Sequence, residues 1–404
     1  MEKLSLYFHI PFCTTRCGYC DFNTFAGMQT LIPKYVKAMQ KEVRWAASNL
    51  SIPVQVGTIF LGGGTPSLLS TGQLQDLMKT VRDAFELTPD FEATLEANPG
   101  TVDENWLGEL RGIGFNRISF GMQSAHPDDL RVLNRQHVHP QVIDAVLWSK
   151  KAGFEHINLD LIFGIPAQSL KRWQQTLELA LMENVDHLSL YSLTVEEGTP
   201  LNGWVRRGVL PAPDDDLSGE MFETAMRVLV NAGYEQYEIS NWARRGGVAA
   251  QCRHNLQYWR FLPYLGFGAG AHGFFENTRT ENSAGILDYI KKIEADLDTS
   301  FPGGPASIRT ERLDLWDAIQ EYMMVGFRLT EEGISLTAFE KRFSCSAELL
   351  FKKQIAAHLK NGLIERHPLD HDRLRLTQKG ILLGNRVFAS FIGNRKPEGW
   401  RISP

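Results

Sequence analysis

The sequence predicts an α/β protein built on parallel strands, followed by a smaller helical unit. Six strand-like segments alternate with helix-like ones over the first two-thirds, and a Pro/Gly-rich break, SFPGGPAS (300–307), sets off a helix-rich remainder. Serial βα units require parallel strands joined by right-handed crossovers, which an open doubly wound sheet or a full or partial barrel satisfies. A third observation favours the barrel: Thr94 and Glu96, Ser119 and Gln123, and Asn158 and Asp160 share strand faces at or near carboxyl ends. Convergent carboxylates and amides are what a barrel's functional mouth needs, although any one of them alone reads as a cap on a strand end.

Taken in order, Leu4-Ser5-Leu6-Tyr7-Phe8-His9-Ile10 has the period-two alternation of a strand. Ile32, Val36, Met39 and Val43 then recur at helical spacing. VGTIFLGG (56–63) reads as the second strand, and Ser70 or Thr71 can cap a helix bearing Leu74, Met78, Val81 and Phe85. EATLEAN, FNRISFG, HINLDLIFG and DHLSLYSL continue the strands, with helices between them such as the one carrying Leu170, Trp173, Leu177 and Leu181. Beyond the break, helical patterns near 311–327, 335–343 and 346–361 precede LIERHP and RLRLT, a hairpin joined by LDHD, which is a winged-helix-like order. The expected units are therefore 1–299, a linker over 300–308, a small domain over 309–392 and a disordered tail, GNRKPEGWRISP, over 393–404.

Composition narrows the class. A net charge of −5 and a pI near 6.1 recommend neither a nucleic-acid nor an anionic-membrane surface. No run is long enough to span a bilayer, and the N-terminus lacks signal-peptide or transit character, so a cytoplasmic protein is expected. Three of five cysteines, Cys13, Cys17 and Cys20, crowd into one short segment, a poor disulfide framework but a good set of thiolates for a metal in a reducing compartment. Their i, i+4, i+7 spacing also fits one face of a helix, but Pro11, Gly18 and the turn-prone Thr14-Thr15-Arg16 argue against one. Structural zinc would want a fourth Cys or His at comparable spacing, and His9 is the only near candidate. An iron–sulfur cube held by three cysteines instead leaves one iron open to a small chelating ligand.

The C-x₃-C-x₂-C motif, with Tyr19 before its last cysteine, resembles the radical S-adenosylmethionine (SAM) family. That resemblance implies a partial (β/α) barrel, a [4Fe–4S] cluster on Cys13, Cys17 and Cys20, and SAM on the open iron. LGGGTPS (61–67) is similar to the segment that holds the amino group of SAM, which implicates Gly63, Gly64 and Thr65. Glu96, Gln123, Arg135 and Asp160 match SAM-binding positions of the oxygen-independent coproporphyrinogen III dehydrogenase branch, as does Tyr7, with Phe22 and Thr194 as weaker carry-overs. An Arg suits the ligand's carboxylate, and acidic groups suit its ammonium and ribose hydroxyls.

Two features separate the chain from that dehydrogenase. Phe22 stands where the enzyme carries a further cysteine, and the longer arm before its cluster is missing. QCRHNLQYW (251–259), followed by YLGFGAGAHGF (264–274), resembles the H-N-x-x-Y-W signature of HemW-type haem chaperones. The resemblance implies haem as a further cofactor, with His254 or Cys252 as candidate iron ligands and Tyr258 and Trp259 as aromatic surface. Taken alone, such a His and such a Tyr-Trp pair read as structural. The family further implies an apo-haemoprotein acceptor, plausibly of the respiratory chain, with peripheral membrane contact during delivery; analogy also allows a homodimer. The alternative activity is radical oxidative decarboxylation of coproporphyrinogen III. A nucleic-acid-modifying enzyme with a winged-helix reader is a third reading, which the acidic charge does not encourage.

Overall fold

The structure is a computed structural model, and it describes residues 2–246, 250–295 and 299–396. Most of the chain curls around one sheet. In chain order its strands are β1 (Glu2–Ile10), β2 (Phe12–Cys13), β3 (Phe25–Ala26), β4 (Val54–Gly63), β5 (Glu86–Ala97), β6 (Arg117–Gln123), β7 (His156–Phe163) and β8 (His187–Ser192). Then come β9 (Tyr234–Gln236), β10 (Asn241–Arg244), β11 (Tyr264–Phe267), β12 (His272–Phe275), β13 (Thr278–Asn282) and β14 (Ser307–Arg312). Twelve of these form a single sheet in the order β14-β13-β12-β11-β1-β4-β5-β6-β7-β8-β10-β9. The run from β11 to β8 is parallel, and antiparallel strands extend it at both edges. Among the described residues its edge strands β14 and β9 do not pair with each other, so it is a partial barrel.

The six expected strands are β1, β4, β5, β6, β7 and β8, and helices cover their outer faces. Ile32, Val36, Met39 and Val43 are the buried stripe of the helix Ile32–Asn49. Ser70 caps the helix Thr71–Ala84 through a capping box with Gln73, so the chain turns sharply out of the strand end that carries the glycine run. Trp173 and Leu177 seat the helix Leu170–Met182 on the sheet, and the Trp173 indole donates to the Met221 carbonyl at 2.8 Å.

The small domain has the winged-helix order. β15 (Ile334–Ser335), β16 (Ile364–Arg366) and β17 (Arg373–Leu376) form a three-stranded sheet beside the helices Leu315–Gly326, Leu336–Phe343 and Lys352–Lys360. Its core includes Phe261 and Phe274 from the large sheet's side, so the two parts share apolar packing. The Pro/Gly stretch leads into β14, whose residues from Ser307 onward belong to the large sheet's edge. In the predicted tail, the Asn394 carbonyl accepts from the Trp316 indole at 2.7 Å; residues 397–404 lie outside the described residues.

Candidate functional site

At the carboxyl ends of the parallel strands a cavity of about 570 Å³ opens, within the range of small-molecule sites. Cys13 lies at the end of β2, and Cys17 and Cys20 lie in an irregular loop, not on a helix. That loop is tied down from several sides. Gly18 N donates to the Leu133 carbonyl at 3.1 Å, Leu201 N donates to Gly18 O at 2.8 Å, and Gln29 Nε2 donates to Cys13 O at 2.8 Å. A Cβ at Gly18 would lie 2.9 Å from the Trp204 ring, so only glycine lets the loop sit this close.

All three cysteines line the cavity. Burial pushes the Cys13 and Cys17 thiols up, and ligation of a metal would release their protons. Among the described residues no three Cys, His, Asp or Glu side chains converge on a point suited to one metal ion. Structural zinc needs such convergence; an iron–sulfur cube places each thiolate on a different iron, so spaced thiolates suit it.

The glycine run packs against this loop. Gly64 N donates to Ile10 O at 2.9 Å and Thr65 N to Phe12 O at 2.8 Å, while the Thr65 hydroxyl lies 3.6 Å from Cys13 Sγ. Gly63 has φ +106°, and a Cβ there would collide with the His9 ring. Gly62 leaves room for Glu96, whose carboxylate accepts from Gly63 N at 3.0 Å. Burial, reinforced by Asp160, pushes Glu96 up to about 7. Asp160 is also raised by burial, although it accepts from Ser119 Oγ and Asn158 Nδ2, each at 2.8 Å.

Arg135 lies across the face of Gly121 beside Gln123 and hydrogen-bonds Tyr19. Burial works against its charge, but Tyr19, Cys17 and Asp160 outweigh that and raise it. Burial drives the Tyr19 phenol up to about 12. Arg135 Nε is buried without a hydrogen-bond partner, which marks room for an acceptor beside the thiols. A zwitterionic, carboxylate-bearing ligand matches this donor set.

Of the residues singled out from the sequence, Cys13, Cys17, Cys20, Tyr19, Phe22, Gly63, Gly64, Thr65, Glu96, Gln123, Arg135, Asp160 and Thr194 line this one cavity. Tyr7, His254 and Cys252 do not. They line a second chamber of about 210 Å³ deeper in the barrel, which shares Glu96, Ser119, Asp160 and Tyr191 with the first. Tyr7 precedes His9 by two residues on β1, a drop of about 6.6 Å along the strand. Its hydroxyl meets His9 Nδ1 at 3.0 Å, and His9 Nε2 donates to Asn23 O at 2.9 Å.

His254 is on the helix Arg253–Trp259, which meets β4 at Thr58 and β5 at Glu92, upstream of the strand-end residues Gly63 and Glu96 that line the cavity. Thr58 Oγ1 gives its proton to Ser5 Oγ, so it accepts from His254 Nδ1 at 2.8 Å. Nε2, 2.9 Å from the Tyr258 hydroxyl, is then the accepting nitrogen. Burial holds the imidazole neutral, down to about 3, with its ring stacked on Phe60 at 5.0 Å. Cys252 is packed against the Glu92 carboxylate at 3.6 Å, and burial pushes its thiol up to about 12. As packed, neither side chain presents a free donor to a haem iron.

The chain matches the radical SAM superfamily over residues 7–180 and the HemN C-terminal domain over residues 313–383. It is 38% identical to the heme chaperone HemW of Mycobacterium tuberculosis strain H37Rv over 97% of this chain and 95% of that protein. This chain belongs to the HemW family of radical SAM proteins. HemW of Bacillus subtilis is 36% identical over 96% of this chain and 99% of its own length. A mouse protein named radical S-adenosyl methionine domain-containing protein 1, mitochondrial, is 32% identical across 100% of this chain and 90% of its own. Coproporphyrinogen III oxidase (HemN) from Escherichia coli shares the fold at a TM-score of 0.82 and 24% identity, over 97% of this chain and 90% of that one.

Sequence reasoning missed several neighbours of the HemW-family site. His137 lines the cofactor cavity, donates through Nε2 to Met122 O at 3.0 Å and is driven down to about 4 by burial, with Arg135 adding to the effect. Its adjacency to Arg135 in the LNRQH stretch was the available signal. Arg117, 1% exposed at the start of β6, gave no signal, because a strand-opening arginine ordinarily faces solvent.

Proposed function

We propose that this chain is a haem chaperone that carries a [4Fe–4S] cluster on Cys13, Cys17 and Cys20 and SAM in the adjoining cavity, and hands haem to an acceptor haemoprotein. The relatives' names supply the chaperone reading. Two features of the chain carry the choice against porphyrinogen decarboxylation: Phe22 stands where the dehydrogenase has a cysteine, and residues 254–259 carry the H-N-x-x-Y-W pattern. The chamber of about 210 Å³ behind the cofactor cavity is below the size of pockets for drug-sized ligands, so as packed it admits neither haem nor a porphyrinogen.

A bound cluster and SAM together supply one-electron chemistry at the sulfonium. The chain's own residues bind and orient. Arg135 is aimed at a carboxylate, Glu96 and Asp160 at hydroxyl or ammonium groups, and the Gly63–Thr65 backbone at the ligand's polar edge. No described helix is long and apolar enough to cross a membrane. Haem contact through His254 or Cys252 requires the helix Arg253–Trp259 to withdraw from the barrel.

The test is a haem titration of anaerobically reconstituted protein, with iron and sulfide measured on the same sample. A saturable Soret shift, four irons per chain and no vinyl product from coproporphyrinogen III, SAM and reductant are expected. Vinyl formation with release of 5′-deoxyadenosine overturns the reading. Unchanged haem binding by His254→Ala/Cys252→Ala places the iron ligand elsewhere on the chain.

A further inference from the structure

The chamber beneath the cofactor cavity has an unusual lining. Five residues that line it each carry a buried polar atom without a hydrogen-bond partner: Arg117 Nη1, Arg328 Nε, Trp259 Nε1, Thr94 Oγ1 and Glu238 Oε2. Buried polar groups are nearly always satisfied, so five such residues around one chamber point to contents that would engage them. Three of the five are obligate donors, and two of those belong to guanidinium groups. Arg117 is 1% exposed, its Nη2 donates to Ala250 O at 2.5 Å, and the nearest carboxylate, on Glu92, stands 4.0 Å from Nη1. Arg328 lies 4.2 Å over the Trp259 ring, with Glu238 3.5 Å from its Nη2. Glu238, 1% exposed, supplies the acceptor.

We infer that this chamber binds a small carboxylate that also carries a hydroxyl or amino group. The carboxylate accepts from Arg117 and from the Arg328–Trp259 pair, as charge-assisted bonds favour. The second polar group donates to Glu238, and the Thr94 hydroxyl serves either. Glu92 balances the Arg117 charge at 4.0 Å but lies beyond hydrogen-bond reach of Nη1, so a carboxylate in the chamber would give that nitrogen the charge-assisted bond it lacks. Size limits the occupant: a chamber of about 210 Å³ falls below the roughly 300–1,000 Å³ of sites for drug-sized ligands, so it suits a small compound or one arm of a larger one. The carboxylate comes from a free small molecule or from the arm of a larger one reaching past Glu96 and Asp160. This inference stands independently of haem binding, since it rests on the chamber's own atoms.

Full-length chain, checked for native circular dichroism, is titrated with lactate and glycine, and with lactamide as the uncharged counterpart. Saturable one-to-one binding of lactate or glycine is expected, with lactamide at least tenfold weaker. Arg117→Gln weakens it at least tenfold, Thr94→Val weakens it several-fold, and Arg309→Gln, from an exposed surface pair, leaves it unchanged. Arg328→Gln, at a less buried position, replaces Arg117→Gln if that variant does not fold. Displacement of lactate by haem but not by haem dimethyl ester assigns the carboxylate to a porphyrin arm; displacement by neither assigns it to a free molecule. Absence of saturable binding, equal binding of lactamide, or a lactate-soaked crystal showing only water in the chamber overturns the proposal. A normal Soret shift alongside any of those results leaves the chaperone reading intact.

Discussion

Gly63 shows how much of the site hangs on single atoms. Its φ of +106° and the His9 ring where a Cβ would go leave no room for alanine. Backbone strain of that kind costs on the order of 1–3 kcal/mol. Gly63→Ala is expected to cut SAM affinity about tenfold or more by calorimetry while iron content stays near that of the parent. Ser substituted at Cys13, Cys17 or Cys20 should do the reverse, with iron and sulfide lost first. Glu42 is a second decisive residue. It is buried and accepts from Gly268 N at 2.9 Å and from Asn282 Nδ2 and Tyr289 Oη at 2.6 Å each, which pins the Gly268–Gly270 turn. Burial nonetheless raises it from 4.5 to about 7. The folded chain therefore holds this proton where the unfolded chain has released it, and the Glu42 contribution to stability is full below pH about 4.5 and is lost as pH rises through about 7. At about 1.4 kcal/mol per unit, its swing is about 3 kcal/mol. Buried His137 and His254, held neutral in the fold, act in the opposite sense over part of this range, so the contribution is read as a difference: the urea midpoint of the parent relative to Glu42→Gln should fall between pH about 4.5 and about 7.5.

At the scale of elements, β5 joins the two cavities. Glu92, Thr94 and Glu96 share its inner face: Glu96 holds the glycine run, Thr94 lines the deep chamber, and Glu92 caps the helix Arg253–Trp259. Its carboxylate accepts from Arg253 N at 3.1 Å and His254 N at 2.9 Å, a negative group at a helix N-terminus. Glu92→Gln should cost about 1–2 kcal/mol and speed amide exchange across residues 253–259. If haem reaches His254 by withdrawal of that helix, the same variant binds haem faster, and an unchanged haem on-rate rules that route out. The H-N-x-x-Y-W pattern was legible as a family mark, and its His and Tyr-Trp pair as structural residues. Where they pack was not legible: the contacts of His254 with Thr58 and of this helix with Glu92 depend on strands far away in the chain.

At the scale of the molecule, the small domain is held by an apolar seam. Phe261 is 3% exposed, packs on Phe274 at a ring separation of 4.6 Å, and lies under the Arg342 guanidinium at 5.0 Å. Phe261→Ala should cost about 3–5 kcal/mol and split one thermal unfolding transition into two by calorimetry. The sequence alone determined the six serial strands, the helices that cover them, the winged-helix order and the thiol-rich loop, because periodicity, caps and short motifs are local properties. It also named thirteen residues that line one cavity; for those at strand ends, a parallel strand followed by a turn fixes where the last polar residues point. Tertiary structure alone decided the rest: Tyr7 lines the smaller chamber and not the first cavity, Arg117 is sealed inside, and His254 spends both ring nitrogens on its neighbours. Those outcomes depend on how far the sheet curls and on what the chain between residues 250 and 260 inserts into it, and no local spacing encodes either.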